Sequence, residues 1–236
     1  LNDPWHMSTD GQGIVITEPQ GGRVLSVSLD GTMRIAMEGQ FWPWDIEMSD
    51  GVAWWIEQGG EGVSPSVWTM EVETLTPTVL ASELIKPQGI KLLEHEILVT
   101  ETEGANRLTS VSLENGTKSV VATFEKESPQ AVVQDLDSQE LFITTRGDWG
   151  GGWVHSIDSS MGTVDPVSYS PRGLMGLELW EDQIIWASRE TITRTSRTGG
   201  AYYPLAIETA VWDFILTEKE GDPWLIWTDL QRGEIL

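Results

Sequence analysis

The sequence of 236 residues contains no cysteine. It therefore cannot form a disulfide, carry a thiolate nucleophile or hold a metal through sulfur. The histidines His6, His95 and His155 are too widely separated to predict a metal-binding triad or a relay of nucleophile, base and orienting acid. The sequence also lacks a Gly-x-Ser-x-Gly elbow and a glycine-rich phosphate loop followed by lysine. None of the common catalytic motifs is therefore available to assign an activity.

Basic residues are scarce as well. Only 14 Lys and Arg stand against 37 Asp and Glu, which gives a formal net charge of −23. This charge repels a nucleic-acid backbone and an anionic membrane surface, so neither is an expected partner. Cations are its natural complement, although acidic residues also serve simply to solvate a surface.

Long apolar runs are the third absence. No segment approaches the ~18 consecutive apolar residues of a membrane-spanning helix, and no charged-then-apolar leader precedes the first repeat. We therefore expect no membrane insertion. The chain begins with Leu1, as a chain that has lost a leader would, or one that was trimmed by design. An extracytoplasmic location (secreted, periplasmic or at the cell surface) is the favoured interpretation.

What the sequence does contain is a proline that returns at nearly even spacing. We call these positions anchors: Pro4, Pro43, Pro87, Pro129 and Pro171, with Val211 as a sixth copy without proline. The intervals are 39, 44, 42, 42 and 40 residues (4 to 43, 43 to 87, 87 to 129, 129 to 171 and 171 to 211). A period near forty in an all-strand pattern is typical of a β-propeller, in which each repeat is one four-stranded blade. The sequence predicts an all-β, six-bladed propeller that forms one domain over residues 1–236.

Within each repeat the order of strands is constant. A short apolar strand follows the anchor, and after a polar turn comes a second, highly apolar strand that ends in a polar residue. The second strands are predicted at residues 14–18, 53–57, 97–101, 141–145, 184–188 and 225–229. Their continuous apolar runs predict burial on both faces. A third, alternating strand and an outer strand complete the blade.

The sixth repeat is short. Residues 233–236 are predicted to form its third strand, and no residues follow for a fourth. An open propeller would leave unpaired strand edges. We therefore expect this edge to pair with the N-terminal residues, with another chain or with sequence outside the 236 residues.

Two segments carry a family resemblance. Leu225-Ile-Trp-Thr-Asp229 resembles the Tyr-Trp-Thr-Asp motif of the low-density-lipoprotein-receptor type propeller. The repeat from Pro87-Gln-Gly-Ile90 through 97–101 to 112–116 is similar to repeats of the NHL, SMP-30 and virginiamycin-B-lyase group. The resemblance implies six-bladed architecture but no single activity, because this fold hosts receptors, scaffolds, lactonases and lyases. In the lactonases it implies a metal cage of acids and asparagine, and in the lyases a histidine and glutamates with magnesium, for which only His6 lies near the expected site.

Two rings of residues are predicted to meet at one end of the central channel. Strand direction alternates along a blade, so the start of the first strand and the end of the second lie on the same face. The residues after the anchors are Trp5, Trp44, Gln88, Gln130, Arg172 and Trp212, with Asp45 and Asp213 one position further on. The residues at the ends of the second strands are Glu18, Glu57, Glu101, Thr145, Ser188 and Asp229. The long, glycine-rich loops 58–65 and 146–153 open onto the same face, where binding residues are common.

Together these residues predict an aromatic and acidic cup. The predicted ligand contacts are Trp5, Trp44, Gln88, Gln130, Arg172, Trp212, Trp149 and Trp153. The predicted metal ligands, for Ca²⁺ or Mg²⁺, are Glu18, Glu57, Glu101, Asp213 and Asp229. Such a cup suits a cation over indole faces, a sugar stacked on indole, or a divalent metal. The tryptophans also have a simpler explanation, as side chains that pack the blades together.

Three functions remain open at this point. The first is a binding module that engages a small molecule or a partner protein through the channel face. The second is a metal-dependent hydrolase or lyase in which a divalent ion among the carboxylates polarises an ester or lactone. The third is a structural ring within a larger surface protein. A metal at the channel would separate the second from the others.

Overall fold

The computed structural model describes residues 3–147, 150–158, 162–171, 173–188, 191–207, 211–219, 222–229 and 234–235. The regular secondary structure of these residues is antiparallel β-sheet, as the alternating and continuous apolar runs predict. No described segment is a helix of the length and apolarity needed to span a bilayer.

The described residues form twenty-three strands in six sheets, and each sheet follows chain order. The first sheet contains β1 (Met7–Thr9), β2 (Gly13–Glu18), β3 (Arg23–Ser28) and β4 (Met33–Glu38). The second contains β5 (Pro43–Ser49), β6 (Val52–Glu57), β7 (Ser66–Glu71) and β8 (Thr76–Ser82). The third contains β9 (Pro87–Leu92), β10 (Glu96–Glu101), β11 (Arg107–Ser112) and β12 (Lys118–Thr123).

The second half of the chain continues the pattern. The fourth sheet contains β13 (Glu127–Gln134), β14 (Leu141–Gly147), β15 (Gly152–Asp158) and β16 (Thr163–Ser170). The fifth contains β17 (Leu174–Trp180), β18 (Gln183–Ser188), β19 (Thr191–Ser196) and β20 (Tyr203–Ile207). The sixth contains β21 (Val211–Lys219), β22 (Asp222–Asp229) and β23 (Glu234–Ile235).

The sheets are arranged as a ring. Each first strand contacts the first strands of its neighbours, in the order β1, β5, β9, β13, β17 and β21, and β21 contacts β1. The first strands therefore surround one axis and the fourth strands lie outermost, which is the arrangement of a β-propeller. The structure has five four-stranded blades, not the six that the repeat count predicted. The described residues of the sixth repeat form a sheet of only three strands.

The anchor of the fifth repeat also differs from the sequence prediction. Pro43 pairs with Glu57, and the residue that pairs with the corresponding Ser188 is Leu174, not Pro171. Leu174 is buried, as Pro43 is, whereas Pro171 is exposed. The anchor position therefore requires a buried apolar side chain next to the channel, and proline is only one residue that meets this requirement.

The second strands form the centre of each blade, as predicted. Every described residue of 97–101, 141–145 and 184–188 is buried, whereas Ile14 and Trp54 are half-buried. The strands β6, β10, β14 and β18 are each flanked by two strands of their own sheet and pack on both faces against adjacent blades. Clusters such as Ile97 and Val99 with Ile56 of the preceding blade are the result. Burial on both faces is thus a consequence of the ring.

This burial generates a first prediction. Val99 is fully buried, so Val99→Asp places an unpaired carboxylate in the sheet core and should cost at least ~3 kcal/mol of the free energy of unfolding. Denaturant and thermal unfolding measure this loss. The matched control is Val120→Asp on the outer strand β12, where the valine is 54% exposed and little change is expected. Equal stability of the two variants would contradict the assignment of the core.

Candidate functional site

The two predicted rings do lie at the same end of the channel. Anchor residues are the direct cross-strand partners of the residues that end the second strands: Pro43 with Glu57, Pro87 with Glu101, and Pro129 with Thr145. We call this end the mouth. The turns between first and second strands lie at the opposite end, because successive strands of a blade are antiparallel.

A β-bulge follows the anchor in the second to sixth sheets. Between Pro43 and Ile46, for example, two residues of β5 oppose the single residue Ile56 of β6. The same shift occurs in β9, β13, β17 and β21. A bulge changes the direction of the side chains beside it. After Pro43, Pro87 and Pro129, the two residues of each bulge line the mouth: Trp44 and Asp45, Gln88 and Gly89, and Gln130 and Ala131.

Threonines on the second strands satisfy the backbone at this position. The hydroxyl of Thr100 accepts a hydrogen bond from the amide of Gly89 at 2.7 Å, and the hydroxyl of Thr144 accepts one from the amide of Ala131 at 3.0 Å. Thr100 also donates to the carbonyl oxygen of Gln130 in the next blade at 2.6 Å. An unpaired buried amide costs free energy, so these threonines stabilise the irregular backbone. The sequence carried this signal in the Thr-Glu and Thr-Thr strand ends, but the prediction did not use it.

A cavity of about 170 Å³ opens at the mouth. It is lined by His6, Trp44, Asp45, Gln88, Gly89, Gln130, Ala131 and Arg146. The structure therefore brings together three of the predicted ligand contacts, Trp44, Gln88 and Gln130. Its volume is equivalent to about five or six water molecules. The cavity accepts a small ligand or one ring of a larger one.

Two of its lining residues explain why the cavity is open. A Cβ atom on Gly89 would lie 2.1 Å from the carbonyl oxygen of Gln130, so only glycine permits this approach of the two blades. Ala131 presents only a methyl group beside it. The small residues leave the space that the longer side chains surround.

One wall of the mouth is aromatic. The rings of Trp5 and Trp44 meet edge to face with centroids 4.4 Å apart, and Trp42 lies 6.5 Å from Trp5 on its other side. Trp5 donates its indole N–H to the carboxylate of Asp3 at 2.8 Å. Trp42 is 44% exposed and has a positive φ of 57°. Trp5 thus supports Trp44, and Trp42 extends the aromatic surface outward.

The polar floor of the cavity is a pair from two blades. Nδ1 of His6 lies 3.3 Å from Oδ1 of Asp45. The same carboxylate accepts the amide of Ile46 at 2.9 Å and, through Oδ2, the amide of Ile90 in the third blade at 2.8 Å. Asp45 therefore joins three blades and has donors on both of its oxygens.

The glutamates that end the second strands have a different position from the one predicted. Glu57 is buried and accepts the amide of Phe41 at 2.6 Å and the indole N–H of Trp68 at 2.9 Å. Glu18 is also buried and accepts a hydrogen bond from Arg23. Glu57 thereby connects its blade to the loop before the first strand, which contains Phe41. Glu18 connects the end of the second strand to the start of the third, which contains Arg23. We call these contacts the glutamate latches.

Glu101 is the most completely bonded latch. Arg107 approaches it with Nε at 2.8 Å from Oε1 and a terminal nitrogen at 3.1 Å from Oε2. Thr109 and the amide of Ile85 donate as well. Burial alone would raise the pKa of Glu101, but the hydrogen bonds from Arg107, Thr109 and Ile85 outweigh burial and lower it. The carboxylate is therefore charged and occupied in the folded protein.

The fourth blade reaches the same arrangement with different residues. Thr145 ends its second strand, and the acid is supplied by Glu127 at the start of β13. Thr145 donates to Glu127, and Nε2 of His155 lies 2.8 Å from the same oxygen. His155 occupies the position that Thr109 has in the third blade, since it faces Ile143 as Thr109 faces Val99. We interpret this cluster as a latch too.

The predicted metal site is not assembled by the described residues. Glu18, Glu57 and Glu101 each bind within their own blade, and the part of the chain that the structure describes holds no group of three acidic or histidine side chains able to bind a metal ion. The side chains of Asp213 and Asp229 lie outside the described residues, as do Trp149, Arg172 and Trp212. Trp153 is described, but it packs on Tyr169 of β16 with ring centroids 4.9 Å apart and does not line the cavity.

Below the floor the channel contains its own cation. Nζ of Lys91 donates to Oε1 of Glu47 at 2.8 Å, and both side chains are about three-quarters buried. Burial alone would lower the pKa of Lys91, but the carboxylates of Glu47, Glu178 and Asp45 outweigh burial and raise it. The remaining space here is a cavity of about 60 Å³, lined in part by Glu47, Asp45 and Glu178. An ammonium thus compensates the carboxylates that converge on the axis.

Comparison with known proteins agrees with this architecture. No protein-family model and no curated protein sequence matches the chain. Nidogen, in its complex with laminin, superposes with a TM-score of 0.71 at 15% identity over 92% of this chain and 89% of its own. Virginiamycin B lyase from Staphylococcus aureus superposes with a TM-score of 0.71 at 16% identity, over 100% of this chain and 83% of its own. A protein provisionally assigned as a gluconolactonase superposes with a TM-score of 0.74 at 12% identity, over 95% of this chain and 83% of its own.

The chain is a β-propeller. Its structural neighbours include a protein solved with a protein partner and proteins named as enzymes. Identities of 12–16% show the fold alone, and one fold supports many functions. The function has to be argued from the mouth itself.

The glutamate latches generate a second prediction. Replacement of Glu101 by Gln removes charge-assisted hydrogen bonds and should cost about 1–3 kcal/mol of unfolding free energy at pH 7. Because the folded-state pKa of Glu101 lies below its ordinary value of 4.5, its stabilisation is complete above that pH and is lost as the pH falls below it. Unfolding measured from pH 3 to pH 7 should therefore show the gap between wild type and variant closing on the acid side.

The control for this test is Glu103→Gln, two residues further on. Its side chain is 71% exposed and lies 3.8 Å from Lys86, so the same loss of charge should change stability little at any pH. A Glu101→Gln variant with the same small effect would show that the latch contributes nothing.

The channel cation generates a third prediction. Lys91→Met removes the ammonium that Glu47 accepts a hydrogen bond from and should cost about 2 kcal/mol or more, because the pair is largely removed from water. The double variant Lys91→Met/Glu47→Gln should recover part of this loss. Lys86→Met, which removes an exposed ammonium, is the matched control. Chemical denaturation of wild type and the three variants checks the series, and a double variant no more stable than Lys91→Met would rule out the coupling.

Proposed function

We propose that this propeller is a binding module that engages a small ligand at the mouth. The observation that carries the proposal is the cavity in which Trp44, Gln88 and Gln130 converge beside Arg146. An apolar wall with a few polar groups at its edge is the usual composition of a small-molecule site. The ligand could equally be one side chain of a partner protein, since a neighbour of the same fold is nidogen, solved in complex with laminin.

The position of the cavity supports this proposal. It lies where first strands from several blades meet, and its residues come from the first, second, third and fourth blades. The bulges, the threonine hydroxyls and the Asp45 contacts hold this backbone in place. A rigid frame reduces the entropy that binding would otherwise lose. These features favour a binding function over a ring that serves only as structure.

A metal-dependent hydrolase or lyase receives less support. Glu57 and Glu101 are buried and already hold several donors, so they do not offer free oxygens to a shared ion at the mouth. The His6–Asp45 pair is the remaining acid–base group at the cavity. For this reason we place binding first.

The proposal predicts that uncharged ligands contact the mouth. We expect benzamide or methyl α-glucopyranoside, titrated into isotopically labelled protein, to shift the backbone amide NMR signals of Trp44, Gln88 and Gln130 in a saturable manner. Gln88→Ala should weaken binding several-fold, because an amide that lines the cavity is lost. Gln12→Ala is the matched control, since Gln12 is exposed at the opposite end of the propeller. Saturable shifts confined to the other end, or the absence of shifts at the mouth, would refute the proposal.

A further inference from the structure

The polar groups of the mouth are unequally occupied. Both oxygens of Asp45 accept backbone amides, and Nδ1 of His6 lies beside one of them. The nearby glutamates are withdrawn into their latches. Of the carboxylates that the sequence predicted as metal ligands, Glu18, Glu57 and Glu101 are therefore already bonded within their own blades.

Arg146 is the opposite case. It comes directly after Thr145, the predicted end of the second strand in the fourth blade. Its side chain is exposed and lines the cavity. Its guanidinium has neither an ion pair nor a hydrogen bond with any residue that the structure describes. Arg34 shares this state, but it lies at the other end of the propeller and does not line the mouth. By comparison Arg23, Arg107 and Arg197 are each paired with a carboxylate.

Gln88 adds a second open donor. Its side chain is half-buried at the cavity and makes no hydrogen bond to the described residues. Gln130 differs, because its amide nitrogen donates to the carbonyl oxygens of Ser128 and Pro129, both at 3.1 Å. The unused polar capacity is thus a guanidinium and a carboxamide, on either side of a cavity that also has the ring of Trp44 in its wall.

We propose that the ligand of the mouth carries a carboxylate, held by Arg146 and Gln88, on a ring or short apolar body that packs against Trp44. This inference rests on the proposed binding function and specifies its ligand class. A guanidinium presents two parallel N–H donors that match the two oxygens of a carboxylate, and such charge-assisted bonds are strong. A single guanidinium balances one negative charge, which favours a carboxylate over a doubly charged phosphate.

The net charge of −23 does not oppose this assignment at physiological salt. The Debye length is then about 8 Å, so exposed carboxylates further away are largely screened. The glutamates that lie nearer are paired, as Glu101 is with Arg107 and Glu47 with Lys91. Asp45 also lines the cavity, but its oxygens already accept two backbone amides and lie beside His6. Arg146, which has no partner among the described residues, is therefore the cation that a ligand can use.

The test uses four probes of one shape: benzoate, benzamide, benzylammonium and phenyl phosphate. Their dissociation constants are measured by NMR titration of the whole chain at 0.15 M salt. We expect benzoate to bind most tightly, and Arg146→Gln to weaken benzoate roughly tenfold or more while leaving benzamide nearly unchanged. Arg34→Gln is the matched control. Arg34 is likewise exposed and without a described partner, but it lies in the groove between the first two blades at the other end.

The outcomes distinguish a wrong ligand class from the absence of any binding at the mouth. Tighter binding of benzylammonium, or a loss of benzoate affinity that is equal in Arg146→Gln and Arg34→Gln, would overturn the carboxylate assignment while binding at the mouth stands. Tighter binding of phenyl phosphate through Arg146 would replace the carboxylate by a phosphate. If none of the probes shifts the signals of Trp44 or Gln88, both proposals fail. Unchanged melting temperatures of the two arginine variants exclude unfolding as the cause.

Discussion

Crowding of the first strands around one axis is the constraint on which the rest of this structure depends. Backbone amides that the bulges remove from the sheet ladder must find other partners there, and charged side chains cannot reach bulk water easily. The protein meets both demands internally. Threonine hydroxyls and Asp45 bind the irregular amides, and Lys91 neutralises Glu47. At the mouth, Arg146 and Gln88 are left without a partner among the described residues.

The repeat and the buried second strands could be predicted from sequence because both depend on strong, local patterns. Continuous apolar runs such as 141–145 have few alternatives to a strand covered on both faces. The predicted meeting of anchors and strand ends was also correct, since it follows from strand direction alone. Trp44, Gln88 and Gln130, which the sequence places at this end, line the cavity there, and their contact with a ligand stays a prediction.

The errors came from features that pattern does not encode. Pro171 fits the spacing of the prolines, but the anchor position requires a buried side chain, which Leu174 provides. With Leu174 as anchor, Glu47, Lys91 and Glu178 fall at the same position of their strands, four residues on. The strand-end glutamates were expected in the channel, yet partners such as Arg107, beside Glu101 only in the folded blade, bind them inside it. The donor that each carboxylate binds is determined by the register of the strands and the rotamers of the side chains. The spacing of residues in the sequence does not reveal either.

The ion pair below the mouth has a consequence for ligand exchange. The Lys91–Glu47 contact lies in the channel, and the space left beside it, about 60 Å³, holds roughly two water molecules. A ring-sized ligand cannot pass through that opening. Among the described residues, the ion pair therefore closes the channel below the cavity, and a ligand bound as proposed would leave past the residues that admitted it. Its residence time would depend on the groups at the rim, Trp44 and Arg146 among them.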